Sequence, residues 1–294
     1  MSRIGIIGGT GTYTLELKNS SEVEVDTPFG PPSDSIQLGN LEGQEVAFLP
    51  RHGRHHQLLP HEINYRANIY ALKSLGVDRL ISVCTAGSLI KEIHPGMIVV
   101  PDQLIDWTKR RASTFFGNGI GAYADMSDPF CPVLSKQVSD IIKNTGIDVH
   151  TGGTYLCIEG PQFSTRAESG FFASIGAHCI GMTAQPEAKL AREAEICYTT
   201  VAGISDYNVC GMSSSRKETM QNMHRLLKDV NSIVTELIRK LPPSGECACS
   251  HALRGAVITS REGISQETLE NLSAILGKYH LEDRSGHPHG TVMK

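Results

Sequence analysis

Polar side chains that can bind an anion or exchange a proton follow five predicted strands, at the point where each strand ends. In an α/β sheet, ligands bind outside the carboxyl ends of the strands. These side chains are therefore expected to line one cleft. An arginine fork beside threonine hydroxyls suits phosphate oxygens without a metal, and a carboxyl group across the cleft can act as an acid. The side chains are Thr10, Arg51 with His52, Thr85, Thr183 and Asp206.

The first strand ends in a glycine turn, Gly8-Gly9-Thr10-Gly11. Glycines let backbone N–H groups approach an anion, and the threonine hydroxyl adds a donor. The turn lacks the third glycine of a dinucleotide fingerprint, and no Gly-Lys-Ser/Thr follows as in a P-loop. A plain structural turn remains an alternative, and a nicotinamide-dependent oxidoreductase is suggested by this turn alone.

The second strand end carries a basic hexapeptide, Arg51-His52-Gly53-Arg54-His55-His56. Its arginines favour phosphate binding, although a solvated basic turn would have the same composition. The histidines also suggest zinc, but no acidic or cysteine ligand lies at a familiar spacing from them. We therefore expect no metal at this site.

Strands and helices alternate along the chain, which predicts one α/β domain with a parallel or mixed sheet. Residues 107–130 are irregular and Gly-rich, and they are expected to form a long, functional loop. Strands are predicted at 3–7, 35–38, 45–49, 79–83, 97–100, 154–158, 178–182 and 197–204. Helices are predicted at 61–75, 133–143, 167–175, 187–194, 217–241 and 266–278.

The predicted helix 217–241 has one apolar face, which indicates packing against the core. A cofactor surface lined by methionine is the alternative for the same face. The residues that repeat at helical spacing are Met220, Met223, Leu226, Leu227, Val230, Ile233, Val234 and Leu237. No linker divides the chain, so the domain is expected to span residues 1–280, with 281–294 as a flexible tail.

Composition excludes several classes of protein. The 294 residues are 40% hydrophobic and 20% charged, which is typical of a folded globular chain. Lys+Arg is 27 and Asp+Glu is 31, a net charge of −4, which argues against nucleic acid or an anionic membrane as the main partner. No run of apolar residues is long enough to span a bilayer or form a signal-peptide core. Most of the eight cysteines lie singly in apolar runs, which favours free thiols and a cytoplasmic location.

Six segments together resemble the S-methyl-5′-thioadenosine phosphorylase family. They are GIIGGTG at 5–11, RHGRHH at 51–56, NYRANI at 64–69, CIEGPQFSTRAES at 157–169, GMT at 181–183 and PEAKLAREA at 186–194. The resemblance covers most of the first 210 residues, in order. It implies the fold of the trimeric purine nucleoside phosphorylases, which is a single α/β domain around a distorted mixed β-sheet flanked by helices. It also implies a homotrimer that needs no metal or organic cofactor.

The implied reaction is attack of phosphate on C1′ of a purine nucleoside, which releases the base and a ribose 1-phosphate. By the same resemblance, Met182 would meet the ribose hydroxyls through its backbone, and Phe163 and Ser164 would contact the base. Asp206 would lie at N7 and the exocyclic 6-group, where a buried carboxyl could donate a proton to the departing purine. The residues that would hold phosphate are Thr10, Arg51, His52, Thr85 and Thr183. A nucleoside-binding protein without catalytic activity remains a different class of hypothesis.

The base site departs from the family pattern at one position. The usual segment is Thr-Asp-Tyr-Asp-Cys-Trp, whereas residues 205–210 read Ser-Asp-Tyr-Asn-Val-Cys, so Asn208 replaces the second acid. A carboxylate only accepts hydrogen bonds, but an amide can accept or donate, so Asn208 could tolerate a 6-oxo purine. The alternative function is thus a broader purine nucleoside phosphorylase acting on adenosine, inosine or methylthioinosine.

The site for the 5′ substituent departs as well. Thr219 and Asn222 stand where the family commonly has valines, and Tyr123 stands where it has a histidine supplied by the neighbouring subunit. Polar side chains would weaken a preference for a thioether, unless the alignment is shifted and other apolar side chains fill the pocket. Cys247 and Cys249 resemble a Cys-x-Cys pair found in some members, including heat-adapted members with disulfides; we expect reduced thiols here.

Overall fold

The computed structural model describes residues 2–9, 12, 15–208, 216–245 and 247–279. Thr10, Cys210 and the predicted tail at 281–294 lie outside the described residues. No helix within these ranges combines the length and the apolar character needed to cross a membrane.

The described residues form eleven strands that belong to one mixed sheet, which confirms the predicted fold class. The strands are β1 (Arg3–Gly8), β2 (Lys18–Val23), β3 (Ile36–Leu41), β4 (Gln44–Pro50), β5 (Val77–Ser88), β6 (Ile98–Val100), β7 (Gln103–Trp107), β8 (Val149–Thr151), β9 (Thr154–Ile158), β10 (Cys179–Gly181) and β11 (Cys197–Tyr207). Their order is β2-β3-β4-β1-β5-β10-β9-β7, and β11 joins β5 to β6, which in turn pairs with β8.

The long central strand β5 accounts for the distortion of the sheet. Its first half pairs in parallel with β1, residues Arg79–Ser88 pair in parallel with β11, and its last two residues pair with antiparallel β10. The β5–β11 register shifts between Ile204 and Asp206. Such a bulge leaves one residue unpaired and turns the side chains beyond it. The side chains at the end of β11, including that of Asp206, therefore have a different orientation from those in the rest of the strand.

Seven α-helices flank the sheet in the described part of the chain. Asn64 begins the first, accepting a hydrogen bond from the Ala67 N–H, so this helix starts four residues later than predicted. Thr165 and Glu168 form a capping box on the third. The helices are α1 (Tyr65–Ser74), α2 (Pro132–Lys143), α3 (Arg166–Ser174), α4 (Ala184–Glu193), α5 (Arg216–Lys240), α6 (Gln266–Asn271) and α7 (Ser273–Leu276).

Three strands and one helix break were missed by the sequence analysis. β2 is almost wholly exposed and polar, so it lacks the alternation that marks a strand. β7 and β8 are short strands at two edges of the sheet, where each pairs with a single neighbour. The helix predicted at 266–278 is two short helices, because Leu272 between them has ψ near 12° and leaves helical geometry.

The apolar face of α5 packs against the sheet over most of its length. Five of the predicted core positions are buried: Leu226, Val230, Ile233, Val234 and Leu237. The side chain of Leu227 is not among those that the structure describes. The prediction of core positions was wrong at the start of the helix. Met220 is 49% exposed and Met223 is partly buried.

Candidate active site

One cavity of about 530 Å³ lies at the carboxyl ends of the central strands. Its size is within the range of small-molecule sites. Four of the five predicted strand ends meet there; the fifth, Thr10, lies outside the described residues. The predicted site residues that line the cavity are Arg51, His52, Thr85, Phe163, Ser164, Met182, Thr183, Asp206, Asn208 and Thr219.

Arg51 is completely buried and held in one orientation by a carboxylate that the sequence analysis did not identify. Its Nε and Nη2 donate to Glu187 on α4, and Nη2 also donates to Ser82 Oγ at 2.6 Å. Nη1 donates to the Val83 carbonyl at 3.1 Å. Burial alone would lower the pKa of Arg51, but the charge of Glu187 outweighs it and raises the pKa above its usual value. The guanidinium is therefore a fixed positive charge beside the cavity.

Gly9 allows this arginine to lie where it does. A Cβ atom on Gly9 would stand 2.8 Å from Arg51 Nη1 and 2.5 Å from the Val83 carbonyl oxygen. The glycine turn thus has a definite packing role, which is close approach to the buried guanidinium.

His52 faces the same cavity as a neutral imidazole. Burial, reinforced by the adjacent Arg51 charge, lowers the pKa of His52 to about 4. Nδ1 lies 2.8 Å from the Leu58 carbonyl, so it carries the proton of the neutral ring and donates it there. Nε2 is left as an acceptor, and a phosphate bound to it must bring a proton.

Thr183 offers an unused hydroxyl group. Its Oγ1 is buried and has no hydrogen-bond partner among the described residues. It is the N-cap residue of α4 but makes no side-chain capping bond. A buried hydroxyl left unsatisfied costs about 1–3 kcal/mol, so a ligand oxygen here would restore a missing bond.

Asp206 lies beyond the bulge in β11 and is partly exposed, not buried as expected. Both of its carboxylate oxygens accept hydrogen bonds, from Ser205 Oγ at 2.6 Å and from Asn208 Nδ2 at 2.9 Å. The Asn208 amide faces Oδ2 of Asp206 with its nitrogen, which is the donor of this hydrogen bond. The amide oxygen of Asn208 then remains an acceptor.

Gly87 makes room for the Asn208 amide. A Cβ on Gly87 would lie 1.9 Å from Asn208 Nδ2. We expect Gly87→Ala to displace Asn208 and, in the reaction that the family resemblance implies, to raise the KM for the nucleoside by about tenfold, the cost of one or two lost hydrogen bonds. Steady-state kinetics at saturating phosphate measures this. Gly170→Ala in α3 is the control, since no atom lies near its added methyl group; an unchanged KM in Gly87→Ala would contradict the assignment.

Phe163 and Ser164 lie in the segment between β9 and α3. Phe163 lines the cavity and is 79% exposed, so it lies where the cavity opens to solvent. The Ser164 and Ser169 hydroxyl oxygens are 2.8 Å apart and share a hydrogen bond, which ties the segment to the helix.

Arg111, in the long loop, is a positioning residue that the sequence analysis missed. Its Nη1 donates to the carbonyl of Met182 at 2.7 Å and to Tyr65 Oη at 3.0 Å. Its Nη2 donates to the Glu159 carbonyl at 2.7 Å. No spacing rule singles out this arginine, because its partners come from three distant parts of the chain. Arg111 thereby holds in place the backbone of Met182, which is predicted to contact the ribose hydroxyls.

The start of α5 closes another side of the cavity. Thr219 lines it as predicted, together with Met220 and Met223, which were predicted to be core. Asn222 instead donates to the Ser205 carbonyl at 3.2 Å and is absent from the described lining. This arrangement matches the alternative in which other apolar side chains fill the place of the family's valines. Tyr123 is 76% exposed and, in the described chain, does not line its own cavity.

Comparison with known proteins places this geometry in a family. Residues 3–239 match the model of the phosphorylase superfamily. The chain is 49% identical over 282 residues to S-methyl-5′-thioadenosine phosphorylase of Geobacter sulfurreducens, covering 94% of this chain and 98% of the relative. It is 47% identical over 289 residues to the enzyme of the same name from Koribacter versatilis, covering 97% and 99%.

Solved structures agree with the sequence relatives. A methylthioadenosine phosphorylase from an Antarctic soil metagenomic library superposes with a TM-score of 0.86 at 44% identity, covering 93% of this chain and 98% of the other. The Schistosoma mansoni methylthioadenosine phosphorylase in complex with tubercidin has a TM-score of 0.81 at 29% identity, covering 88% and 99%.

Proposed function

The chain belongs to the S-methyl-5′-thioadenosine phosphorylase family of the phosphorylase superfamily, and we propose that it converts S-methyl-5′-thioadenosine and phosphate to adenine and S-methyl-5-thio-α-D-ribose 1-phosphate. It is thus a pentosyltransferase of purine and methionine salvage. The observation that carries the proposal is that a buried arginine and an unpaired hydroxyl line the same cavity as the Asp206–Asn208 pair.

Phosphate is held by Arg51, His52, Thr85 and Thr183 in this proposal, and by Thr10 from the segment that is not described. The fixed guanidinium supplies charge, the Thr183 hydroxyl supplies a donor, and Nε2 of neutral His52 accepts a hydrogen bond from a protonated phosphate oxygen. The phosphate oxygen forms a bond to C1′ as the bond from C1′ to N9 breaks. Positive charge on the ribosyl group then lies beside the anion, which stabilises the transition state.

Asp206 donates its proton at N7 of the departing base, and Phe163 and Ser164 contact the ring. Met182 meets the ribose hydroxyls through a backbone that Arg111 holds in place. No metal or organic cofactor enters this mechanism, and phosphate is a co-substrate. The cytoplasm remains the predicted compartment, and a purine nucleoside remains the predicted partner, with no nucleic acid or membrane.

Asn208 selects a 6-amino purine through its pairing with Asp206. Its nitrogen donates to Asp206 Oδ2, an oxygen that can accept this bond while the carboxyl group carries its proton, so the Asn208 oxygen is the group available to the exocyclic position of the base. That oxygen accepts from an amino group and repels a 6-oxo group. The alternative of inosine as a substrate depends on an amide N–H that can donate to a 6-oxo group. In this structure the Asn208 nitrogen donates to Asp206 instead.

Met220 and Met223 favour a thioether at the 5′ position, since methionine side chains are apolar, polarizable and adaptable. Thr219 lines the same region, and its hydroxyl supports the second candidate function, in which a 5′-hydroxyl nucleoside such as adenosine is also accepted. In a homotrimer, the exposed Tyr123 would reach the neighbouring subunit's site.

A panel of nucleosides tests the proposed function. We expect kcat/KM for methylthioadenosine to exceed that for methylthioinosine by about 100-fold, and no base release without phosphate. Asn208→Leu should reduce this ratio by about tenfold, whereas Asn208→Asp should keep it, because a carboxylate also accepts from the amino group. Equal rates on the 6-amino and 6-oxo substrates would establish the broader phosphorylase instead.

A further inference from the structure

Four cysteines from three distant parts of the chain meet in one cluster. The Sγ atoms of Cys131, Cys197, Cys247 and Cys249 all lie within 4.8 Å of one another. Cys131 is the N-cap residue of α2, Cys197 begins β11, and the other two lie at the start of the C-terminal segment. None of these four belongs to the described lining of the catalytic cavity. The cluster is therefore separate from the site described above.

The sulfur atoms are spaced as the ligands of a tetrahedral soft cation would be. Zinc–sulfur bonds of about 2.3 Å place the sulfurs of a tetrahedral site about 3.8 Å apart. Cys131 and Cys247 are 3.4 Å apart, and all four thiols are free. Small movements of the side chains would centre an ion among them. A set of four thiolates selects zinc over calcium, magnesium and manganese, which prefer oxygen ligands.

The surroundings of the cluster favour negative charge on sulfur. Arg192 Nη1 donates to Cys249 Sγ at 3.3 Å. The backbone N–H of Leu134 in the first turn of α2 donates to Cys131 Sγ at 3.4 Å. A divalent ion bound by four thiolates carries a net negative charge, and both donors would stabilise it. The two donor contacts to sulfur are thus a second observation in favour of a cation site, in addition to the distances between the sulfur atoms.

We propose that Cys131, Cys197, Cys247 and Cys249 bind one structural Zn²⁺ ion. The four thiol protons are released to water as the ion binds, so the step requires no oxidant or reductant. Cys131 and Cys249 are buried and the other two are partly buried, which is typical of a closed site with no open coordination position. The expectation that the chain binds no metal is thereby replaced for this cluster, while the catalytic cavity remains metal-free in the proposed mechanism.

The ion would fasten the C-terminal segment to α2 and β11. That segment continues into residues that pair with the long loop, where Tyr123 N–H donates to the Ala256 carbonyl and Ile258 N–H donates to the Gly121 carbonyl, each at 2.9 Å. Loss of the ion would therefore loosen the segment and the loop that it supports. This inference does not depend on the proposed reaction.

The test begins with the unmodified full-length chain, purified with a thiol reductant and without chelators. Elemental analysis is expected to find about one zinc per chain. Removal of zinc by a strong chelator should lower Tm by at least about 5 °C, and added Zn²⁺ should restore it. Co²⁺ added to the zinc-free protein should give the intense visible absorption of a tetrahedral tetrathiolate site.

Variants then locate the site. Cys249→Ser should lose stoichiometric zinc and the cobalt spectrum, whereas Cys179→Ala, which removes a buried thiol outside the cluster, should retain both. Substoichiometric zinc together with a cobalt spectrum lacking thiolate bands would overturn the proposal. So would an intact mass that shows the loss of four hydrogens under reducing purification, because it would establish two disulfides in place of a metal site.

Discussion

Replacing Arg51 by methionine is expected to raise the KM for phosphate by about 100-fold and to lower the free energy of unfolding by about 3–5 kcal/mol. Arg51 is the fixed positive charge beside the cavity, and charge-assisted hydrogen bonds to a phosphate are worth more than neutral ones. The stability loss has a separate origin. Removing the guanidinium leaves Glu187 as a buried carboxylate without its counter-charge.

A double variant separates the two effects. Glu187 also accepts from Ser82 Oγ at 2.8 Å and Tyr198 Oη at 3.0 Å, and a glutamine oxygen can keep such contacts. Arg51→Met with Glu187→Gln should therefore recover most of the stability, because no buried charge is left unpaired. It should not recover phosphate binding. Denaturant unfolding and phosphate titrations of the rate measure the two quantities.

A surface ion pair provides the control for stability. Lys136 and Asp140 form an exposed pair one helical turn apart on α2. Lys136→Met should change the free energy of unfolding by less than about 0.5 kcal/mol. If the double variant regains a normal KM for phosphate, Arg51 is a structural residue only, and another group must hold the anion.

The sequence supports prediction of the cavity because the relevant signals are local. Each of Arg51, Thr85 and Asp206 lies at the end of an apolar run in its own stretch of sequence. Parallel pairing of β1, β4, β5 and β11 then carries these ends to one edge of the sheet. The rule that ligands bind at strand carboxyl ends needs no knowledge of which strands are neighbours.

The groups that fix the geometry depend instead on contacts between distant residues. Glu187 lies 136 residues from Arg51, and Arg111 lies 71 residues from the Met182 carbonyl that it holds. Neither has a distinctive spacing in the sequence. The bulge before Asp206 likewise arises from register against β5. Such features appear only when the strands have been assembled.

Periodicity was misleading at the start of α5 for a related reason. Met220 continues the apolar face that is buried from Leu226 onward, so the pattern alone predicts core. At this end of the helix, Met220 and Met223 line the cavity instead. An apolar face indicates that something covers it; whether that is protein or a ligand depends on the tertiary structure.

Asp206→Ala is expected to lower kcat for methylthioadenosine by about 10²–10⁴-fold, the range for loss of a general acid. The KM for phosphate should change little, since the carboxyl lies with the base and not with the anion in the proposed complex. Adenine binding, measured by calorimetry, should persist in weakened form. A nucleoside-binding protein without catalytic activity would show no base release before or after the substitution.

A substrate that needs no acid distinguishes proton donation from simple positioning. A methylthioriboside with p-nitrophenolate as leaving group departs without protonation, so Asp206→Ala should slow it by less than about tenfold. Ser205→Ala is the control, because it keeps the carboxyl group and removes only the Ser205 hydroxyl, which pairs with Asp206 Oδ1 and with the Ala86 carbonyl; it should slow methylthioadenosine modestly and the p-nitrophenolate substrate less. Equal large losses on both substrates in Asp206→Ala would contradict the acid role, since a group that donates a proton matters only where the leaving group requires one.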